Sequence, residues 1–241
     1  MRLTDFKVLT FDCYGTLIDW ESGMFAALQP LVSKAKKKLS RDDILEAHAR
    51  HESAQQVATP ARRYSELLAI VYKRLAEEWG APASWDEAEA YGRSIPDWPA
   101  FPDSAEALAY LKQHYKLVIL SNVDRQSFAA SNKKLGVAFD AVYTAEDIGS
   151  YKPDPRNFTY LLDRIGTDLG IERHEILHTA ESIPHDHVPA QAFGLDRCWI
   201  NRRYGMEGKG VSGMVDNPPV PHYEFRSLGA MAEAHRKAVG E

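Results

Sequence analysis

An aspartate stands at the end of an apolar run, followed by a Gly-Thr turn, in residues 8–18, VLTFDCYGTLI. A carboxylate in that position can act as nucleophile, metal ligand or base. Three more polar groups follow later apolar runs: Ser121-Asn122 closing KLVILSN, Lys152 in YKPDP, and Asp186 after EILHTAES. Asp186 has Glu181 ahead of it and His178, His185 and His187 around it. Zinc needs several ligands converging tetrahedrally, and these histidines fall on different elements, so no metal is expected on them. His185, adjacent to Asp186, is the one expected to position it. Cys13 is read as a small buried hydrophobe, since a reactive thiolate needs a nearby cation or helix N-terminus.

The elements that must position these groups alternate. Val8–Phe11 reads as a strand buried on both faces. From about residue 19 to 93 the pattern is helical, with Leu67, Leu68, Val71, Leu75 and Trp79 at helical spacing and Gly80 and Pro82 as stops. After the proline-rich IPDWPAFPDS, helices are expected at 104–115 (N-cap Ser104), 125–136, 155–166 and 187–194. Strands are expected at 116–122, 141–147, 175–182 and 197–202. Such alternation predicts an α/β fold, a Rossmann-like parallel sheet with helices on both faces. A small all-helical cap (19–96) is inserted after the first strand of the core (1–18 and 97–241). Sequentially distant strand ends then converge on one rim, which makes Asp12, Ser121-Asn122, Lys152 and Asp186 a single candidate site.

FDCYGTL, LSN, YKPDP and the Asp186 stretch, in this order and strand context, resemble the four motifs of the haloacid dehalogenase superfamily. Phosphatases of that superfamily usually carry a second Asp two residues after the nucleophile; here the position is Tyr14. An aromatic there, together with FDCYGTLIDW and AFGLDRCWINR, is similar to the type II L-2-haloacid dehalogenases. The resemblance implies a hydrolase acting on carbon–halide bonds. Asp12 would displace halide from a small (S)-2-haloalkanoic acid and water would hydrolyse the resulting ester. It implies that Lys152 orients Asp12, that Asp186 supports the hydrolytic water, and that Ser121, Asn122 and the Thr16 hydroxyl donate to the substrate carboxylate or the developing oxyanion. Thr16 as a turn cap and Asn122 as an Asx turn are the competing readings.

The sequence departs from the family in three places. Phe158 replaces a Tyr, Glu181 and Ile183 replace a Ser and an Asn, and no lid Arg for the substrate carboxylate aligns cleanly. Arg50 is the preferred candidate for that clamp and Arg41 the second. Tyr14 and Trp20 are candidates to line an apolar pocket. No cofactor is expected. Mg²⁺ enters only under the alternative of a phosphatase using Asp12, Asp186 and Glu181. A catalytically silent binding protein is the other alternative.

Bulk properties narrow the class. The chain has 241 residues, 44% hydrophobic and 26% charged, with net charge −5. That mild acidity gives no reason to expect nucleic acid or an anionic membrane as partner. Lys34–Lys38 (KAKKK) reads as a solvated helix face. Two cysteines, Cys13 and Cys198, suggest a reducing compartment, and the N-terminus lacks a signal-like apolar stretch, so a cytoplasmic location is expected. The resemblance adds that dimers are common in the family.

Overall fold

Six apolar runs become strands: β1 (Val8–Phe11), β2 (Lys116–Ser121), β3 (Ala141–Thr144), β4 (Ile176–Ala180), β5 (Asp196–Ile200) and β6 (Tyr223–Phe225). In the computed structural model, which describes residues 1–205 and 215–241, they form one parallel sheet in the order β3-β2-β1-β4-β5-β6. The chain leaves β1 toward β2 and β3, then returns to β1's other side with β4. The switch point therefore lies between β1 and β4, where open sheets of this kind bind ligands.

Strand alternation sends residues to two separate cores. Leu9, Phe11, Leu117, Ile119 and Leu177 cluster with Leu108 and Leu111 of α5 (Ser104–Leu111) and with Leu228 and Met231 of α10 (Leu228–Val239). Val8, Val118, Leu120 and Ile176 cluster instead with Phe158, Leu161 and Ile165 of α8 (Pro155–Leu169) and Ala190 of α9 (Val188–Ala192). Helices thus cover both faces, as the alternating pattern predicts. The remaining core helices are α6 (Arg125–Leu135) and the short α7 (Ala145–Ile148).

Between β1 and α5 come four helices: α1 (Trp20–Val32), α2 (Arg41–Ala58), α3 (Tyr64–Trp79) and α4 (Trp85–Gly92). Asp19 caps α1 by accepting from Ser22 N, and Ser40 and Asp43 form a reciprocal capping box on α2. Leu67, Leu68, Val71, Leu75 and Trp79 are buried, and each such side chain contributes about 1.5–3 kcal/mol. Gly80 ends α3 in the left-handed conformation (φ 63°). The two crossings between cap and core lie side by side: Ile18 bridges Ala100, Asp19 N–H donates to Pro99 O (2.8 Å), and Phe101 N–H donates to Leu17 O (3.1 Å). Polar contacts also join cap and core. Ser65 N–H donates to Asp124 Oδ2 (3.1 Å), Arg63 pairs with Glu146 (2.8 Å), and the Tyr151 hydroxyl donates to Arg62 O.

Several local expectations need correction. Ser104 is the first residue of α5 rather than its cap, and its hydroxyl donates to Leu17 O (2.8 Å). Lys34–Lys38 lies beyond the end of α1, so it is not a helix face. The strand expected at 141–147 stops at Thr144, whose side chain caps α7. The edge strand β6 and helix α10 follow the strand expected to be last.

Candidate active site

Asp12 and Asn122 directly follow β1 and β2, Ser121 ends β2, Asp186 lies on the turn after β4, and Lys152 sits in the loop between α7 and α8. β1 delivers Asp12, and the following turn needs Gly15 at φ +100°, where a Cβ would lie 3.0 Å from Trp20 Nε1. The turn brings the Thr16 hydroxyl back to donate to Asp12 Oδ2 (2.8 Å) while accepting from Glu181 N–H (2.9 Å). Its single proton is thus spent on Asp12, so Thr16 holds that carboxylate rather than a substrate. Lys152 is buried, and its ammonium donates to Asp12 Oδ1 (2.9 Å), Asp186 Oδ1 (2.7 Å) and Leu120 O (2.9 Å). All three ammonium protons are used. Asn122 fixes the Lys152 backbone from both sides, Nδ2 donating to Lys152 O (2.9 Å) and Oδ1 accepting from Lys152 N–H (2.6 Å). One N–H of the Asn122 amide thus works on Lys152, and Asn122 also lines the cavity described below.

Asp186 arrives on a π-helical turn, Ile183–His187, after β4, a wide turn of the sort that recurs at functional sites. Its Oδ1 also accepts from His178 Nε2 (3.0 Å), and His178 Nδ1 pairs with the Thr10 hydroxyl (2.8 Å). Thr10 and His178 sit opposite each other in the β1–β4 register, and the Phe158 ring packs edge-on against His178 at 5.2 Å. The histidine that positions Asp186 is therefore His178, not His185. A histidine inside the apolar strand ILHTA was the available signal, because a buried polar ring requires partners.

Electrostatics separate the two carboxylates. Burial works to raise Asp186, but the Lys152 ammonium and His178 outweigh it and hold the carboxyl well below the usual range. Asp12 moves the other way: burial and the neighbouring Asp186 charge raise it, against the pull of Lys152 and Thr16. Lys152 is raised, its two carboxylates overcoming the cost of burial. Of the candidate site residues, two keep a buried polar atom without a protein partner: Ser121 Oγ and Asp186 Oδ2. Such atoms are uncommon, and at the rim of a cavity they point to a ligand or water.

That cavity measures about 60 Å³ and lies between the strand ends and the cap. One water needs about 10–15 Å³, so it holds roughly four to six non-hydrogen atoms. Asp12, Ser121, Lys152 and Asp186 line its floor, Tyr14, Trp20 and His185 its walls, and Ala49, Glu52, Ser53, Gln56 and Tyr64 its roof. Burial lowers the pKa of His185, so it lines the wall as a neutral ring. The Tyr14 hydroxyl pairs with Ser131 Oγ (2.9 Å), its ring lies edge-on to Trp98 (5.8 Å), and burial pushes its phenol further up.

Three expected site residues lie elsewhere. The Arg50 side chain is 58% exposed and pairs with Glu78, away from the cavity. Arg41 and Glu181 line a neighbouring cavity beyond Trp20 and Gly15, where Arg41 also stacks on Phe25 (4.7 Å). Glu181 therefore does not join Asp12 and Asp186, and the acidic triad of the Mg²⁺ alternative is not assembled. Among the described residues no other cluster of three or more His, Cys, Asp or Glu has the geometry to hold a metal.

The model for haloacid dehalogenase-like hydrolases matches residues 6–179, most of the chain and all of the floor except Asp186. The chain belongs to the haloacid dehalogenase-like hydrolase family. Among relatives of this haloacid dehalogenase-like chain, (S)-2-haloacid dehalogenase 4A of Burkholderia cepacia is 29% identical over 227 residues, covering 92% of this chain and 88% of the relative. The L-2-haloacid dehalogenase of Xanthobacter autotrophicus, solved with chloropropionic acid covalently bound, superposes with a TM-score of 0.77 at 18% identity, over 96% of this chain and 98% of that one. The HAD-hydrolase YfnB of Bacillus subtilis, solved bound to magnesium, superposes with a TM-score of 0.73 at 21% identity over the whole of both chains. At those identities the superpositions establish the shared fold, and the chemistry has to come from the site.

Proposed function

We propose that this hydrolase removes halide from small (S)-2-haloalkanoic acids through an ester on Asp12. Tyr14 carries the reading. Where a phosphatase would place a proton donor for its leaving group, this chain has a phenol that is buried, raised in pKa and turned toward Ser131. With no donor at that position, the site suits a leaving group that departs unprotonated, as halide does. The Burkholderia relative's activity, on (S)-2-haloacids, is of this kind.

The Asp12 carboxylate, oriented by Lys152 and Thr16, attacks the halogen-bearing carbon in line, and the carbon–halogen bond breaks with inversion. Water then attacks the Asp12 carbonyl. Lys152 Nζ and the Thr16 hydroxyl, already on the two Asp12 oxygens, stabilise the charge that develops there. The unpartnered Asp186 Oδ2 orients that water, with His178 and Lys152 fixing the other oxygen. Overall, water and haloacid give hydroxy acid, halide and a proton. The cavity suits substrates of two or three carbons.

Single turnover in ¹⁸O-water, with enzyme in excess, tests the route. Label should enter Asp12 while the hydroxy acid stays unlabelled and inverted. Label appearing directly in the product would make Asp12 a base and overturn the ester. Phosphate release from small phosphate esters, with no halide release from haloacids, would overturn the substrate class.

A further inference from the structure

A 2-haloacid brings a negative charge into a cavity whose roof is acidic. Glu52 lies on the inward face of α2 with Ala49, Ser53 and Gln56, at the i, i+3, i+4 and i+7 spacing of one helix face. It is 8% exposed, and its Oε1 accepts from the Tyr64 hydroxyl (2.6 Å) and Gln56 Nε2 (3.4 Å). Below it are Asp12 and Asp186. Among the described lining residues Lys152 is the only cation, and its three protons are already donated within the floor. Arg50 and Arg41, the cationic clamps the sequence suggests, are outside the cavity.

Resting on the dehalogenase reading, we propose that Glu52 is the substrate-recognition residue of the cap, binding the haloacid carboxylate by donating a hydrogen bond as a neutral carboxylic acid. In its ionised form it excludes that anion, so recognition switches off as the pH rises.

Burial favours the neutral form of Glu52, against the Tyr64 hydroxyl of α3 that donates to it; its own helix presents His48, 3.7 Å away at Nδ1. Burial holds His48 neutral, with a pKa near 3, and its Nε2 pairs with the Tyr91 hydroxyl of α4 (2.7 Å). Tyr151, in the loop before Lys152, tilts against Tyr64 at 6.5 Å. Across the cavity Glu52 faces Asp12, Asp186 and Lys152 on the floor and neutral His185 on the wall. Burial, opposed by the Tyr64 hydrogen bond, raises the Glu52 carboxyl to about 7. Below that pH the roof is a donor; above it, the roof is an anion facing an anion.

Two measurements test this over about pH 5.5 to 8.5, each on the wild type and Glu52→Gln, a neutral variant that keeps an N–H donor. The first is kcat/KM for halide release from (S)-2-chloropropionate and from the uncharged 2-chloropropionamide. The second is binding of propionate, an unreactive anion, by calorimetry. For the wild type, kcat/KM for the acid and propionate affinity should fall about tenfold per pH unit above the Glu52 transition, while the amide is unaffected. In Glu52→Gln the fall should vanish. A titration of Asp12 would persist in the variant, so an unchanged fall there overturns the proposal, as does propionate affinity independent of pH in the wild type. Halide release from neither compound, with propionate binding still controlled by Glu52, would overturn the dehalogenase reading and keep the recognition role.

Discussion

Replacing Thr16 by Val keeps the shape of the side chain and removes one hydroxyl. Two contacts go with it: the 2.8 Å donation to Asp12 Oδ2 and the acceptance from Glu181 N–H at 2.9 Å. Thr16 is fully buried, so no solvent water takes its place. A hydrogen bond to a charged group contributes about 1.5–3 kcal/mol. If that bond strengthens in the transition states, kcat falls about 10- to 150-fold. The Asp12 carboxyl, already raised by burial, rises further without the Thr16 donor, because the charged form loses support. The acid limb of the pH–rate profile should therefore move to higher pH, with the deficit largest at low pH. The orphaned Glu181 N–H costs about 1–3 kcal/mol, and each kcal/mol lowers Tm by about 2–4 °C in a chain of this size. Halide release from (S)-2-chloropropionate against pH and a thermal melt measure both effects. Thr16→Ser, retaining the hydroxyl, should recover most of the rate. A Thr16→Val enzyme within about threefold of wild type, with its acid limb unmoved, would refute the assignment of Thr16 as the group that holds the nucleophile.

Arg50→Ala should leave kcat/KM within about twofold of wild type, since an exposed pair with Glu78 contributes only about 0.2–1 kcal/mol to stability. A tenfold rise in KM would put Arg50 on the substrate and contradict its outward placement. His178→Leu removes the donor on Asp186 Oδ1 and should cost about 1–3 kcal/mol in urea unfolding at neutral pH. Asp186 is depressed in the folded state, so the stability it contributes is present above the ordinary carboxyl range and lost as pH falls through its folded value. The His178→Leu deficit should accordingly narrow in acid, and a deficit constant with pH would show that His178 acts by packing alone.

Residues at strand ends were legible because parallel strands of alternating order have one place to put them. Apolar runs of four to six residues marked five strands, and the polar residues at the ends of the runs of β1, β2 and β4 marked the rim. The edge strand β6 was not legible: Tyr223–Phe225 is three residues long, with Glu224 exposed. Donor direction was also beyond the motifs. Thr16 and Asn122 are in the neighbourhood the spacing implies, yet their hydrogen bonds serve Asp12 and Lys152. Arg50 illustrates a different gap. Residues 49, 52, 53 and 56 share one face of α2, and position 50 is turned about 100° from Ala49, so helical arithmetic alone would have directed attention to Glu52. Glu181 fell to the wrong side because Gly15 and Trp20 partition two adjacent cavities, a division set by tertiary packing.

Helices α2 and α3 supply the whole roof of the cavity, whereas the groups proposed to break and re-form bonds come from the turns after β1 and β4 and from the loop that carries Lys152. The two crossings at Ile18 and Ala100 are the only backbone joints the chain needs between them. On the roles proposed above, selection of a substrate and cleavage of its bond are written in separate stretches of the gene product. Changes at 49, 52, 53 and 56 can retune what is admitted while the floor stays as it is, and a library confined to that one helical face is the natural starting point for redirecting this enzyme to other leaving-group acids.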